Sequence, residues 1–280
     1  MSYRSILVHL DESARCEARV DMAARLAREH GAHLLGLAPT GVINLPARVT
    51  PSAAGVPNYL ELAQASLNER AAALVHAFNL RVARVGLASV EGRVDEADSV
   101  LSLLENARVH DLVVIGQTDR APTGLIVEQD VPEQVFLRAG TPALVVPFVG
   151  DFDSVGGNVV VAWNGSRESS RAVHDAMPLL RKARQVHLMC FERPSDLRHL
   201  TRLQLNDAHQ WLGRHGVVSH LHQEPVRIDV GEALLSRACD LGADLLVMGG
   251  YGHSRVTEFL LGGVTRRLLA QMTLPVLLSH

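Results

Sequence analysis

Asp244-Leu245-Leu246-Val247-Met248-Gly249-Gly250-Tyr251-Gly252, then nine residues, then Gly262-Gly263-Val264-Thr265-Arg266-Arg267-Leu268-Leu269, is the stretch that decides the fold. Leu245 to Met248 has the length and bounding of a buried parallel strand. Val264, Leu268 and Leu269 open a helix with helical apolar spacing. Glycines at such a strand-to-helix junction permit positive φ and close approach of a ligand to the backbone. The unpaired N–H groups of Gly263, Val264, Thr265 and Arg266 then point at whatever sits above the helix start, favourably if it is anionic. Thr265 adds a hydroxyl. The stretch is not a dinucleotide fingerprint, because Arg255 stands where the third glycine belongs. It is not a P-loop either, since the only lysine is Lys182.

Working outward, the chain repeats itself. Asp111-Leu112-Val113-Val114-Ile115-Gly116 matches Asp244 to Gly249 at an offset of 133 residues, and Thr141-Pro142-Ala143-Leu144-Val145-Val146 matches the run ending Pro275-Val276-Leu277-Leu278 at the same offset. Ile6 to Ser13 matches Val159 to Ser166 at an offset of 153. In each, a first strand ends in a polar residue and a serine placed to cap the next helix. Each half alternates strands and helices, which predicts a parallel α/β sheet. Strands are expected near 5–10, 33–38, 82–89, 111–116 and 143–147, then 158–163, 185–191, 217–223, 244–249 and 275–278. Helices are expected near 13–30, 59–78, 95–109 and 131–139, then 167–183, 197–215, 230–242 and 263–272. Residues 148–157 read as the linker between domains 1–149 and 155–280. Pro39 to Asn58, with four prolines, reads as a loop.

Gly249-x-x-Gly252, nine residues, then Gly262 and a small residue resembles the ATP-binding signature of the universal stress protein family, here in tandem over nearly the whole chain. The resemblance implies two flavodoxin-like, Rossmann-like domains, each a five-stranded parallel sheet flanked by helices, with the final strands paired about an approximate two-fold axis. It also implies ATP as cofactor, with or without Mg, and a homodimer. Two positions depart from the family pattern. Gly263 replaces its hydroxyl residue. Asn164 stands where an aspartate of the nucleotide pocket ends the first strand, retaining hydrogen bonding but making a poor magnesium ligand.

At offset 133 the first half replaces Gly252 by Asp119, Gly262 by Gln129, Gly263 by Asp130 and Thr265 by Pro132. Backbone freedom is lost there and carboxylates stand where phosphates would lie. The expectation is one degenerate half and one binding half. Because ligands of open α/β sheets sit at the carboxyl ends of strands, the expected site comprises Ala162, Trp163, Asn164, Met189, Met248, Gly249, Gly252, His253, Arg255, Gly262, Gly263, Val264 and Thr265. His253 and Arg255 either reach phosphate oxygens or stand in solvent.

A formal charge of −3 without basic clusters argues against nucleic acid. Three cysteines without Cys-x-x-Cys, no signal peptide and no apolar run of 18 residues predict a cytoplasmic protein that does not enter membranes. Fourteen histidines form no metal motif; His220-x-His222 reads as a surface pair. No catalytic constellation is visible, so the leading expectation is adenine-nucleotide binding in a stress-response role. The alternatives are a ligand-free interaction module and, third, a slow ATP hydrolase.

Overall fold

Alternating apolar runs and amphipathic stretches give ten strands and eight helices in the computed structural model, which describes residues 2–42, 56–118, 131–192, 202–250 and 263–280. The first half holds β1 (Ser5–His9), α1 (Cys16–His30), β2 (His33–Pro39), α2 (Val56–Ala83), β3 (Val90–Asp95), α3 (Ser99–Ala107), β4 (Leu112–Gly116), α4 (Val131–Arg138) and β5 (Ala143–Val146). The second holds β6 (Asn158–Ala162), α5 (Arg167–Leu180), β7 (Gln185–Glu192), α6 (Arg202–Arg214), β8 (Ser219–Pro225), α7 (Val230–Asp240), β9 (Leu245–Gly249), α8 (Gly263–Gln271) and β10 (Val276–Ser279).

All ten strands join one sheet in the order β3-β2-β1-β4-β5-β10-β9-β6-β7-β8. Pairing is parallel within each half, and β5 meets β10 antiparallel with Leu144 opposite Leu277. The order reads the same from either end by half, so the final strands of the two domains meet at the centre. Helices α1, α2, α5 and α6 cover one face and α3, α4, α7 and α8 the other. The inner strands are therefore apolar throughout, whereas the edge strands β3 and β8 mix exposed residues with mostly half-buried ones. No helix among the described residues is long and apolar enough to cross a membrane.

Two local expectations are corrected. The stretch 82–89 is not a strand: α2 runs on to Ala83 and β3 starts at Val90. Phe78 and Val82, one helical turn apart, are both buried in the core, and that packing overrides the alternation that suggested a strand. Asn58 likewise belongs to α2, not to a loop. Serine capping holds for only one half. Ser166 accepts a hydrogen bond from Ser169 N at 3.2 Å at the start of α5. Ser13 instead donates to Asp11 Oδ1 at 2.6 Å, and α1 starts at Cys16 without a side-chain cap.

The halves are also joined by polar contacts outside the sheet. Tyr3 Oη donates to Asp175 O at 2.8 Å, Lys182 Nζ donates to Glu29 O at 2.7 Å, and Arg15 and Arg25 donate to the carbonyls of Gly150 and Phe152. His30 lies within this group, its ring 5.0 Å from that of Tyr3. Burial, then the Lys182 charge, pushes the His30 imidazole down to about 4. Burial also lowers His187 and His222, which share a hydrogen bond of 3.0 Å between β7 and β8. Such histidines stay neutral in the fold but charge in the unfolded chain at its ordinary value of about 6.5. Their contribution is complete above that value and is lost as pH falls toward the folded one. Urea unfolding at pH 5.5 should thus show about 1 kcal/mol less stability from His30 than at pH 7.5, and His30→Gln should shallow that slope. An unchanged slope in the variant would remove His30 from the account.

Candidate functional site

The carboxyl ends of β6 and β9 lie side by side, while the chain leaves β6 toward β7 and leaves β9 toward β10. This is the switch point at which a crevice forms in an open α/β sheet. Ala162 is in register with Met189 on β7 and with Met248 on β9, and the three form one row facing α7 and α8. On that face α8 begins at Gly263. A side chain at Gly263 would meet no atom within 4 Å among the described residues. Val264 is half-buried beside α7, and Thr265 is only 3% exposed although its hydroxyl makes no hydrogen bond among the described residues. Arg266 is exposed; Arg267 turns aside to Asp229 at 3.2 Å. A helix mouth with unpaired N–H groups, a spare hydroxyl and an adjacent cation suits an anion.

The other expected residues are placed differently. Asn164 is exposed, and its Oδ1 accepts from Ser166 N at 3.1 Å, which closes the turn into α5. Trp163 donates its backbone N–H to Met189 O at 2.7 Å, but its ring packs on the opposite face of the sheet, with α5 and α6. Gly249 and Gly250 have packing reasons of their own. A side chain at Gly249 would lie 2.5 Å from Glu168 O and Ser169 N, in the first turn of α5, and one at Gly250 would enter the ring of Phe136. Gly252, His253, Arg255 and Gly262 lie outside the described residues.

In the first half the corresponding crevice, between β1 and β4, holds a side chain. Arg19 of α1 is 1% exposed; its Nε donates to His9 O at 2.8 Å and its Nη2 lies 2.6 Å from Asp11 Oδ1. The guanidinium lies over Gly116 so closely that no side chain would fit there. Burial alone would raise the Asp11 carboxyl. The Arg19 charge, then His9, and hydrogen bonds from Arg19 and Ser13 outweigh burial and hold it well below the usual carboxylate range. At the start of α4, Glu133 is 6% exposed and accepts from Thr118 Oγ1 at 3.3 Å. At offset 133 its counterpart is Arg266, so the charge at the two helix mouths is opposite. Arg19 corresponds at offset 153 to Ala172, which brings no cation to the second crevice.

A family model described as the universal stress protein family matches residues 2–147 and again residues 157–280. The chain belongs to the universal stress protein family. A universal stress protein from Archaeoglobus fulgidus DSM 4304 shares the fold with a TM-score of 0.77 at 16% identity, over 98% of this chain and 97% of that one. A putative universal stress protein from Pseudomonas aeruginosa UCBPP-PA14 aligns with a TM-score of 0.58 at 18% identity, over 99% and 93%. A half-length universal stress protein in complex with cAMP covers 53% of this chain and 100% of its own, at 22% identity and a TM-score of 0.38. No curated protein matches the sequence.

Within this universal stress protein, the sequence reading missed Arg19 and Glu133. A signal for Arg19 was present: it lies at helical spacing with Ala23, Leu26 and Ala27, on the buried stripe of α1, where a charge is out of place. For Glu133 only the comparison with Arg266 carried information. Among the described residues no group of three or more His, Cys, Asp or Glu is arranged to hold a metal ion.

Proposed function

We propose that the second half binds an adenine nucleotide, ATP or a relative, with its phosphates at the mouth of α8 and its base or ribose toward the row formed by Ala162, Met189 and Met248. The first half, plugged by Arg19 and Asp11, binds none. The carrying observation is the pairing of an uncrowded Gly263 with Thr265, a buried residue whose hydroxyl makes no hydrogen bond among the described residues, set against a filled crevice and a carboxylate in the other half. Membership of the family adds to it. With Asn164 in place of the family's aspartate, the second crevice offers no such carboxylate to a metal ion. Any magnesium would come with the nucleotide and be held chiefly by its phosphates.

Calorimetric titration with ATP and AMP tests this. Gly263→Asp, copying the first half, should weaken ATP at least about tenfold, or about 1.4 kcal/mol, while leaving the melting temperature near that of the parent. Thr265→Ser should bind and Thr265→Val should not. Absence of heat at millimolar ATP would leave a second reading, a ligand-free interaction module. That reading is favoured by Gly249 and Gly250, whose lack of side chains is already explained by Glu168, Ser169 and Phe136. Hydrolysis has no visible base among the described residues, so phosphate release should stay close to a blank.

A further inference from the structure

The two halves differ in a second way that the nucleotide site does not use. In the first, α2 is tied by ion pairs to α1 and the turn before it: Arg70 with Glu12 of that turn, and Arg81 with both Glu17 and Asp21 of α1 at 2.6 Å. The equivalent helices of the second half, α5 and α6, share no ion pair among the described residues. Between them lies a cavity of about 450 Å³, within the size range of small-molecule sites. Its apolar lining includes Trp163, Trp211, Val173 and Ala208, and its polar lining includes Asp207 and Arg214. It lies on the face of the sheet opposite α8.

Both tryptophans of the chain line this one cavity. Two tilted imidazoles pack against Trp211, His174 with ring centroids 4.6 Å away and His215 at 4.4 Å. His174 is itself anchored to Ser170 O at 2.8 Å. The ring is thus fixed before any ligand arrives, which reduces the ordering cost of binding. In the wall beside it, Trp163 Nε1 is buried without a hydrogen-bond partner. Asp207 and Arg214 are exposed, and neither makes a hydrogen bond or ion pair among the described residues. Seven positions apart on α6, they stand about 10 Å from each other along one helix face. An aromatic bed with an unpaired carboxylate toward one end and an unpaired guanidinium toward the other selects for a flat molecule bearing opposite hydrogen-bonding groups.

We propose that the α5–α6 cavity of the second half is a binding site for a planar aromatic acid of one or two fused rings, packed against Trp163 and Trp211, with its carboxylate on Arg214 and a ring hydroxyl or N–H donated to Asp207. The site is independent of the nucleotide at α8.

Calorimetry with 6-hydroxy-2-naphthoate tests it on the full chain. Saturable binding is expected, with at least about tenfold loss in Arg214→Gln. The neutral alcohol 2-naphthylmethanol should bind at least about tenfold more weakly, and cyclohexanecarboxylate, which has the charge without the ring, not at all. Saturating ATP should not displace the acid. No heat at millimolar acid, an unchanged affinity in Arg214→Gln, tight binding of cyclohexanecarboxylate, or displacement by ATP would each overturn the proposal. Trp211→Leu should also lose binding, and because Arg214 is exposed, its variant keeps the test usable if Trp211→Leu fails to fold. ATP titration of Arg214→Gln should match the parent, which separates this site from the proposed nucleotide site.

Discussion

Asp11→Ala should cost about 3–5 kcal/mol of stability, the largest loss expected from any single substitution in the first half. Arg19 is 1% exposed and keeps its charge because Asp11 lies 2.6 Å away. With the carboxylate gone, a guanidinium remains in the crevice between β1 and β4 with only the His9 carbonyl and the Cys16 side chain beside it. It cannot lose its proton at any ordinary pH. The loss is measured as a shift of the urea midpoint at pH 7. A double variant, Asp11→Leu with Arg19→Met, should recover most of it, since an apolar pair of similar size carries no desolvation cost. A loss below about 1 kcal/mol for Asp11→Ala would mean that water reaches the guanidinium and that the crevice is not sealed.

Acid should expose the same pair. The Asp11 carboxyl is depressed in the fold, so its contribution is complete above the unfolded value of about 4 and is lost as pH falls from there through the folded value. This acid limb lies below the histidine limb between about 6.5 and 4 described above. The double variant should lack the former and keep the latter. Opening the crevice need not create a nucleotide site, because Glu133 would still stand at the mouth of α4.

Gly249→Ala should cost about 1–3 kcal/mol, through overpacking rather than through any ligand. The added methyl would lie 2.5 Å from Glu168 O and from Ser169 N, closer still to Glu168 C, and these are backbone atoms of α5 that no rotamer change can move. The whole first turn of α5 must shift, and with it the Ser166 cap. Gly263→Ala is the matched control. Nothing among the described residues lies within 4 Å of the new methyl, so this variant should unfold within about 0.5 kcal/mol of the parent. Equal losses in the two variants would show that α5 is free to move away from β9. The contrast also separates two glycines that look alike in the sequence: one is small for the sake of a neighbouring helix, the other is uncrowded among the described residues.

The sequence by itself determined what depends on local pattern and on repetition. Leu112 to Gly116 and Leu245 to Gly249 announce buried parallel strands because both faces of an inner strand must be apolar. The offset of 133 residues requires two copies of one layout, and the glycine-to-carboxylate changes between them already mark the halves as unequal. Only the tertiary structure decided how that inequality is built. Arg19, over Gly116, meets a strand end almost a hundred residues away, and Trp163 turns from the cradle to the α5–α6 cavity because residue parity on β6 sends it to the other face. The end of α2 at Ala83 was decided by burial of Phe78 and Val82 against the sheet. These outcomes are set by how elements dock on one another, and docking depends on pairs of residues far apart in the chain, which periodicity cannot register.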